Sequence, residues 1–216
     1  MANNKPQTAP VEEQQINKTE VFFEKNKKII ISCVCAVIIV IVGIILANTY
    51  YFEPRSEKAS TELAKSQELF EQQQYDKALA GFQKVAGDYS STDAGNLAQL
   101  YIGICQAKLG KWQEAVDALE SFSGKGDQMI SPAAEGALGN AYANLKQFDK
   151  AVEHLKKAAK MADNNSLSPT FLIQAGEILE SQNKKDEALK LYEEVKEKYV
   201  NSMQYQSIDK YIQRVK

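Results

Sequence analysis

Two hydrophobic patterns divide the chain. From Ile29 to Ala47 it reads IIISCVCAVIIVIVGIILA, 19 residues without a charge. At about 1.5 Å rise per residue, such a run predicts a helix matched to a hydrocarbon core roughly 30 Å thick. Phe22 and Phe23 precede it and Tyr50, Tyr51 and Phe52 follow it, as aromatic rings do at the two interfaces of a bilayer. Beyond this run the apolar residues recur three and four positions apart with polar residues between them, the spacing of helices with one buried face. No stretch of alternating β-branched residues predicts a strand.

Within the second region one phrase is repeated. Tyr75 opens YDKALAGF, Trp112 opens WQEAVDAL, Phe148 opens FDKAVEHL and Lys185 opens KDEALKLY, and their alanines Ala78, Ala115, Ala151 and Ala188 are 37, 36 and 37 residues apart. Twelve residues before each alanine stands a small residue, Ser66, Gly103, Gly139 or Gly176, and four after it a large one, Phe82, Leu119, Leu155 or Tyr192. A period in this range is the mark of a solenoid of helix pairs. The small residues are expected to let paired helices approach closely, and the large ones to fill the gap between neighbouring pairs. Ser131-Pro132 and Ser168-Pro169 read as capping serines with proline at the first helical position. The tail from Tyr199, with Ile208, Ile212 and Val215, predicts a last helix covering the exposed end.

In these positions the sequence resembles the tetratricopeptide repeat family, in four consecutive units over roughly residues 59–198. It departs where Lys185 replaces the aromatic of the other units and where Gln106 replaces an apolar residue of the first helix. The expected fold is all-α: one N-terminal transmembrane helix, an α-solenoid of four helix pairs, and a C-terminal capping helix. The expected organisation is a disordered cytoplasmic tail over 1–20, a juxtamembrane segment and span over 21–52, a linker over 53–58 and the repeat domain over 59–216. The resemblance implies that ligand contacts come from the first helix of each pair. Those positions include Leu63, Gln67 and Phe70, then Leu97, Leu100, Ile104 and Lys108, then Asn140, Asn144, Ile173 and Glu177. It also implies packing roles for Ala78, Gly103, Ala115, Gly139, Ala151, Gly176 and Ala188.

Charge and composition remove other classes of function. A formal net charge of −2 leaves no surplus with which to neutralise a nucleic-acid backbone. Arg55 and Arg214 are the two arginines, so bidentate anion recognition is scarce. Cys33, Cys35 and Cys105 with one histidine supply no structural zinc set, and no glycine loop precedes a Lys-Ser/Thr pair to cradle a phosphate. His154, three residues after Ala151, reads as solvent-facing and without a role. No cofactor, small-molecule substrate or catalytic residue is expected, and the chain is not expected to be an enzyme.

Lys25, Lys27 and Lys28 abut the start of the span, while Arg55 and Lys58 lie farther from its end among Glu53 and Glu57. That bias predicts an N-terminus in the cytoplasm and everything after Tyr50 outside it, and the long polar stretch before the run predicts an uncleaved signal anchor. With FFEKNKK at Phe22–Lys28, this layout resembles the YfgM-like ancillary subunits of the bacterial Sec translocon. The resemblance implies a single-pass protein of the bacterial inner membrane with its repeats periplasmic, a protein-binding scaffold beside the SecYEG channel, partnered by a membrane-anchored chaperone of the PpiD type. A scaffold for another envelope assembly, in outer-membrane biogenesis or division, stays open as the alternative.

Overall fold

Helices alone make up the regular structure of the described residues, 11–124 and 126–216, in this computed structural model, with side chains described from Glu20 onward. The chain divides after Pro54 into two units. The first contains α1 (Val11–Ala47) and a π-helical stretch, Asn48–Phe52. Side chains between Ile29 and Leu46 are nearly all exposed, and α1 is long and apolar enough to cross a membrane. Half of the tail expected over 1–20 lies outside the described residues. From Val11 the backbone is already helical, in keeping with the helix propensity of its Glu and Gln residues.

The stretch expected as a linker, 53–58, holds the division between the two units and is helical, as the start of α2 (Glu53–Glu71). Pro54 has no N–H, and its ring presses on the carbonyl four residues back. The wider hydrogen-bond spacing of Asn48–Phe52, immediately before it, is how a helix absorbs that residue.

The second unit is a stack of helix pairs. α2 pairs with α3 (Tyr75–Asp88), α4 (Asp93–Lys108) with α5 (Trp112–Ser121), α6 (Ile130–Asn144) with α7 (Phe148–Ala162), and α8 (Ser168–Ser181) with α9 (Lys185–Lys198). A 3-10 turn, Met203–Ser207, leads to α10 (Ile208–Val215). Buried side chains form three clusters along the stack, one from α2 to α5, one from α4 to α7 and one from α7 to α10.

The turn inside each pair is the same backbone device. Gln73, Gly110, Lys146 and Asn183 all have positive φ, between 58° and 75°, at the spacing of the signature alanines. The amide of the next residue reaches back to close the helix, as from Gln74 to the Leu69 carbonyl at 2.9 Å and from Lys184 to the Leu179 carbonyl at 2.9 Å. A left-handed residue followed by this bond is a glycine-favouring helix stop. Gly110→Ala should therefore cost about 1 kcal/mol, while Lys146→Gly at the equivalent turn should gain about 0.5 kcal/mol. Urea denaturation of both variants checks this, and shifts of the same sign would refute it.

The expected capping serines are replaced by other residues. α6 begins at Ile130, before Ser131, and its first amides are held by Asp127, whose Oδ1 accepts from Met129 N at 2.8 Å and also from Ile130 N. Those bonds and the Ser131 hydroxyl, the largest cause, hold the Asp127 carboxyl down at about 2. Ser168 lies inside α8, fully buried, and its hydroxyl donates to the Ala159 carbonyl of α7 at 2.8 Å. Ser131 sits two positions and Ser168 one position past the cap, because an Asx residue four positions earlier, Asp127 or Asn164, takes up the free amides.

Both arginines serve the ends of the stack. Arg55 of α2 donates to the Asp88 carbonyl at the end of α3 and lies over the Tyr89 ring, 5.4 Å from its centre. Arg214 of α10 grips Glu180 of α8 with two bonds of 2.7 and 2.8 Å and lies 5.0 Å from the centre of the Tyr211 ring.

Candidate protein-binding face

The first helices α2, α4, α6 and α8 are positioned by the small residues on their inner side. A Cβ on Gly103 would lie 2.5 Å from Leu119 Cγ, on Gly139 2.8 Å from Leu155 Cγ, and on Gly176 2.6 Å from Tyr192 Cζ. The large residue of each unit thus sits on the glycine of its own pair rather than only between pairs. Ala78, Ala115, Ala151 and Ala188 are all fully buried. Gly136, which the repeat phrase does not mark, accepts Phe171 of the next pair, 2.8 Å from where its Cβ would be.

With the first helices so placed, the residues expected on their open face divide into three groups. Leu63, Leu100 and Ile173 are core, each in a different buried cluster. They cannot meet a ligand, because a first helix packs on its own partner and on both neighbours and so buries a wider stripe than a two-helix pattern suggests. Gln67, Phe70, Leu97 and Ile104 are half-buried. Gln67 donates to the Tyr101 hydroxyl at 2.9 Å, and Phe70 meets Tyr75 and Tyr101 edge-on at 5.4 and 5.6 Å. Lys108, Asn144 and Glu177 are exposed and Asn140 is half-buried. Of these, Glu177 lies 3.8 Å from Arg214 and belongs to the C-terminal closure.

Tyr101 and Gln174 were missed by sequence reasoning. The first helices α2 and α4 touch at a separation of 34 residues, Gln67–Tyr101, and α6 and α8 at 35, Gly136–Phe171, whereas the phrase repeats at 36 or 37. Counting 34 from Asn140 leads to Gln174, whose side-chain Oε1 is buried and takes no hydrogen bond from the described residues. The first helices thus carry the amides of Asn140 and Asn144 on α6 and Gln174 on α8, and on α4 the half-buried Leu97 and Ile104 and the exposed Lys108. Amides that both donate and accept, next to apolar side chains, suit a peptide backbone with apolar side chains.

Gln106 is a packing fault of a different kind. It occupies the place held by Leu69, Tyr142 and Leu179 in the other units, and its Oε1 is buried without a partner among the described residues. Gln106→Leu should raise the unfolding free energy by about 1 kcal/mol, since it removes a desolvated acceptor. A drop in thermal midpoint would refute this.

His154 is not solvent-facing. Its ring stacks on Tyr142 with centres 5.1 Å apart, and Nδ1 meets Glu135 Oε1 at 2.6 Å, which Lys157 also approaches at 3.0 Å. A residue three positions after a buried alanine shares its helical face; the equivalent Ala118 and Leu191 are buried and His154 is half-buried. Tyr142 in turn donates to Glu120 at 2.7 Å, and that bond with burial pushes its hydroxyl up to about 12. Glu120, Glu135, His154 and Lys157 border a cleft of about 420 Å³ between α5, α6 and α7. Cys105 is buried in the core and its thiol is pushed up to about 11 by burial, the state of a packed rather than a reactive thiol. Among the described residues no group of His, Cys, Asp and Glu has metal-binding geometry.

Residues 20–213 match the model of the tetratricopeptide repeat-like domain family. Among solved structures the chain is similar to a Podosopora anserina protein of nearly identical TPR-like repeats, at 16% identity and TM-score 0.61 over 76% of this chain and 86% of that one. It is similar to MamA at 17% identity and TM-score 0.54, covering 69% and 91% of the two chains. It is also similar to YrrB, a TPR protein with an unusual peptide-binding site, at 20% identity and TM-score 0.54, covering 78% and 88%. At these identities the likeness is one of fold.

Proposed function

The chain belongs to the tetratricopeptide repeat-like domain family, whose helical repeats bind proteins, and from that premise we propose a membrane-anchored, non-catalytic scaffold with its repeats in the bacterial periplasm. The observation that carries the anchor is α1, where Ile39, Ile44 and Ile45 and most of their neighbours are exposed along a helix of 37 residues. In water such a surface would be unstable, and in lipid it is solvated. Lys25, Lys27 and Lys28 at its N-terminal side favour a cytoplasmic N-terminus.

Within that reading the scaffold is an ancillary subunit of the Sec translocon, beside SecYEG and a PpiD-like chaperone. It offers the first-helix face, with Asn140, Asn144, Gln174, Leu97 and Ile104, to an extended segment of a partner or an emerging protein. Protease added to spheroplasts should digest the repeats while sparing the tail, and a protected repeat domain would overturn the orientation. Photo-crosslinking from Phe22 should give adducts with SecY or SecE. Adducts with outer-membrane assembly or division proteins instead would transfer the scaffold to those machineries.

A further inference from the structure

Large apolar side chains that stand exposed on the repeat domain are confined, among the described residues, to two places: Met129 and Ile130 before and at the start of α6, and Val200, Met203 and Tyr205 after α9. Met203 is 88% exposed, the most of the five. The broad faces of the solenoid carry none. Both places belong to connections between pairs, and such connections all lie at one edge of a stack of antiparallel helices. Side-chain bonds tie that edge together: Asn96 at the start of α4 exchanges two bonds of 2.9 Å with the backbone of Ser123, and Asn164 reaches the Gln128 carbonyl at 3.5 Å. The edge also holds a small apolar cleft of about 190 Å³, bordered by Leu97, Phe122 and Ile130.

The chain enters the domain at this same edge. Arg55 bonds the Asp88 carbonyl and lies over Tyr89, in the connection between α3 and α4. Seven residues separate Ala47, the end of the charge-free run, from Arg55. Even fully extended, that length keeps the entry point within about 30 Å of the end of the run. We infer that the edge bearing Met129, Ile130, Val200, Met203 and Tyr205 rests on the lipid surface, with these side chains inserted among the headgroups. The inference depends on the proposal that α1 spans a membrane. Exposed loop tips of Met, Ile and Tyr suit the interfacial layer, where an aromatic ring finds apolar and wet surroundings together. Asp88, Asp93, Asp127 and Asp163 on the same edge are met by Lys160, Lys196 and Lys198 in the last turns of α7 and α9, so charge of neither sign dominates, the attraction is apolar and neutral phosphatidylcholine suffices as the partner surface.

The native Trp112 offers an internal control, since it opens α5 at the opposite edge, a helix length of roughly 20 Å away. Full-length protein would be reconstituted in phosphatidylcholine vesicles with and without brominated acyl chains, and tryptophan quenching compared. In a Trp112→Phe background, Met203→Trp and Met129→Trp should each be quenched at least twofold, whereas native Trp112 should not. Phe52→Trp in the same background reports whether α1 is inserted. Quenching at Phe52→Trp without quenching at Met203→Trp and Met129→Trp would overturn the inference and leave the apolar edge to a protein partner. No quenching at Phe52→Trp would overturn the membrane reading and the inference with it.

Discussion

Gly176→Ala should destabilise the repeat domain by about 2–3 kcal/mol, as overpacking of a filled core does. The added methyl would be pressed against the Tyr192 ring, 2.6 Å from Cζ. Tyr192 has nowhere to go: it is fully buried, and its hydroxyl donates to Glu180 at 2.5 Å while Glu180 is itself held by Arg214. Moving the ring breaks that chain of bonds, and keeping it forces α8 away from α9. In a domain of this size the thermal midpoint should fall by about 4–10 °C. Gly87→Ala supplies the contrast, because nothing lies within 4 Å of its Cβ position near the end of α3. There the substitution should gain about 0.5 kcal/mol through helix propensity. Equal effects at the two glycines would show that α8 and α9 are not in the described register.

Removal of α10 should have a larger effect still. Ile208, Ile212 and Val215 are buried against the cluster that contains Tyr192, Val195 and Tyr199. At about 1.5–3 kcal/mol for each buried side chain, their loss amounts to roughly 5–9 kcal/mol, comparable with the whole stability of an ordinary domain. A chain ending at Ser202 should therefore aggregate or show a broad, low-temperature transition by circular dichroism. Ile208→Ala, at about 2–4 kcal/mol, gives a graded version that still folds. A truncated chain with an unchanged midpoint would refute the closing role of the helix.

The same closure sets a pH dependence. Burial raises the pKa of Glu180, but the hydrogen bonds from Arg214 and Tyr192 outweigh it and hold the carboxyl below its ordinary 4.5. A group with a depressed folded pKa lends stability that is present above the unfolded value and lost as pH falls through the folded one. The contribution of this clasp is thus complete above pH 4.5 and fades below it. Arg214→Gln should flatten the acid limb of the stability profile, besides lowering the midpoint at neutral pH.

The architecture was legible because it is written four times. Ala78, Ala115, Ala151 and Ala188 fix the register, and a single period defines helix, turn and pairing together. The open face was less legible. A first helix packs on its own partner and on its neighbours, so projecting the phrase onto one face mixes core positions such as Leu63, Leu100 and Ile173 with half-buried ones such as Asn140. His154 is half-buried rather than solvent-facing because the i, i+3 relation to Ala151 brings it beside Tyr142 and Glu135. The cap at Asp127 was hidden by a Ser-Pro pair that carries a stronger familiar signal. Gly136 was hidden because its partner, Phe171, lies in another unit.

A linear stack opens from its ends, where each helix has one neighbour instead of two. Both arginines of the chain stand at those ends, Arg55 fastening α2 to the end of α3 and Arg214 fastening α10 to α8, each with its guanidinium over a tyrosine ring. Lysine carries the charge everywhere else. The planar fork thus stands where fraying begins, so loss of either arginine should loosen its own end first, and hydrogen exchange should slow from both ends toward α5 and α6.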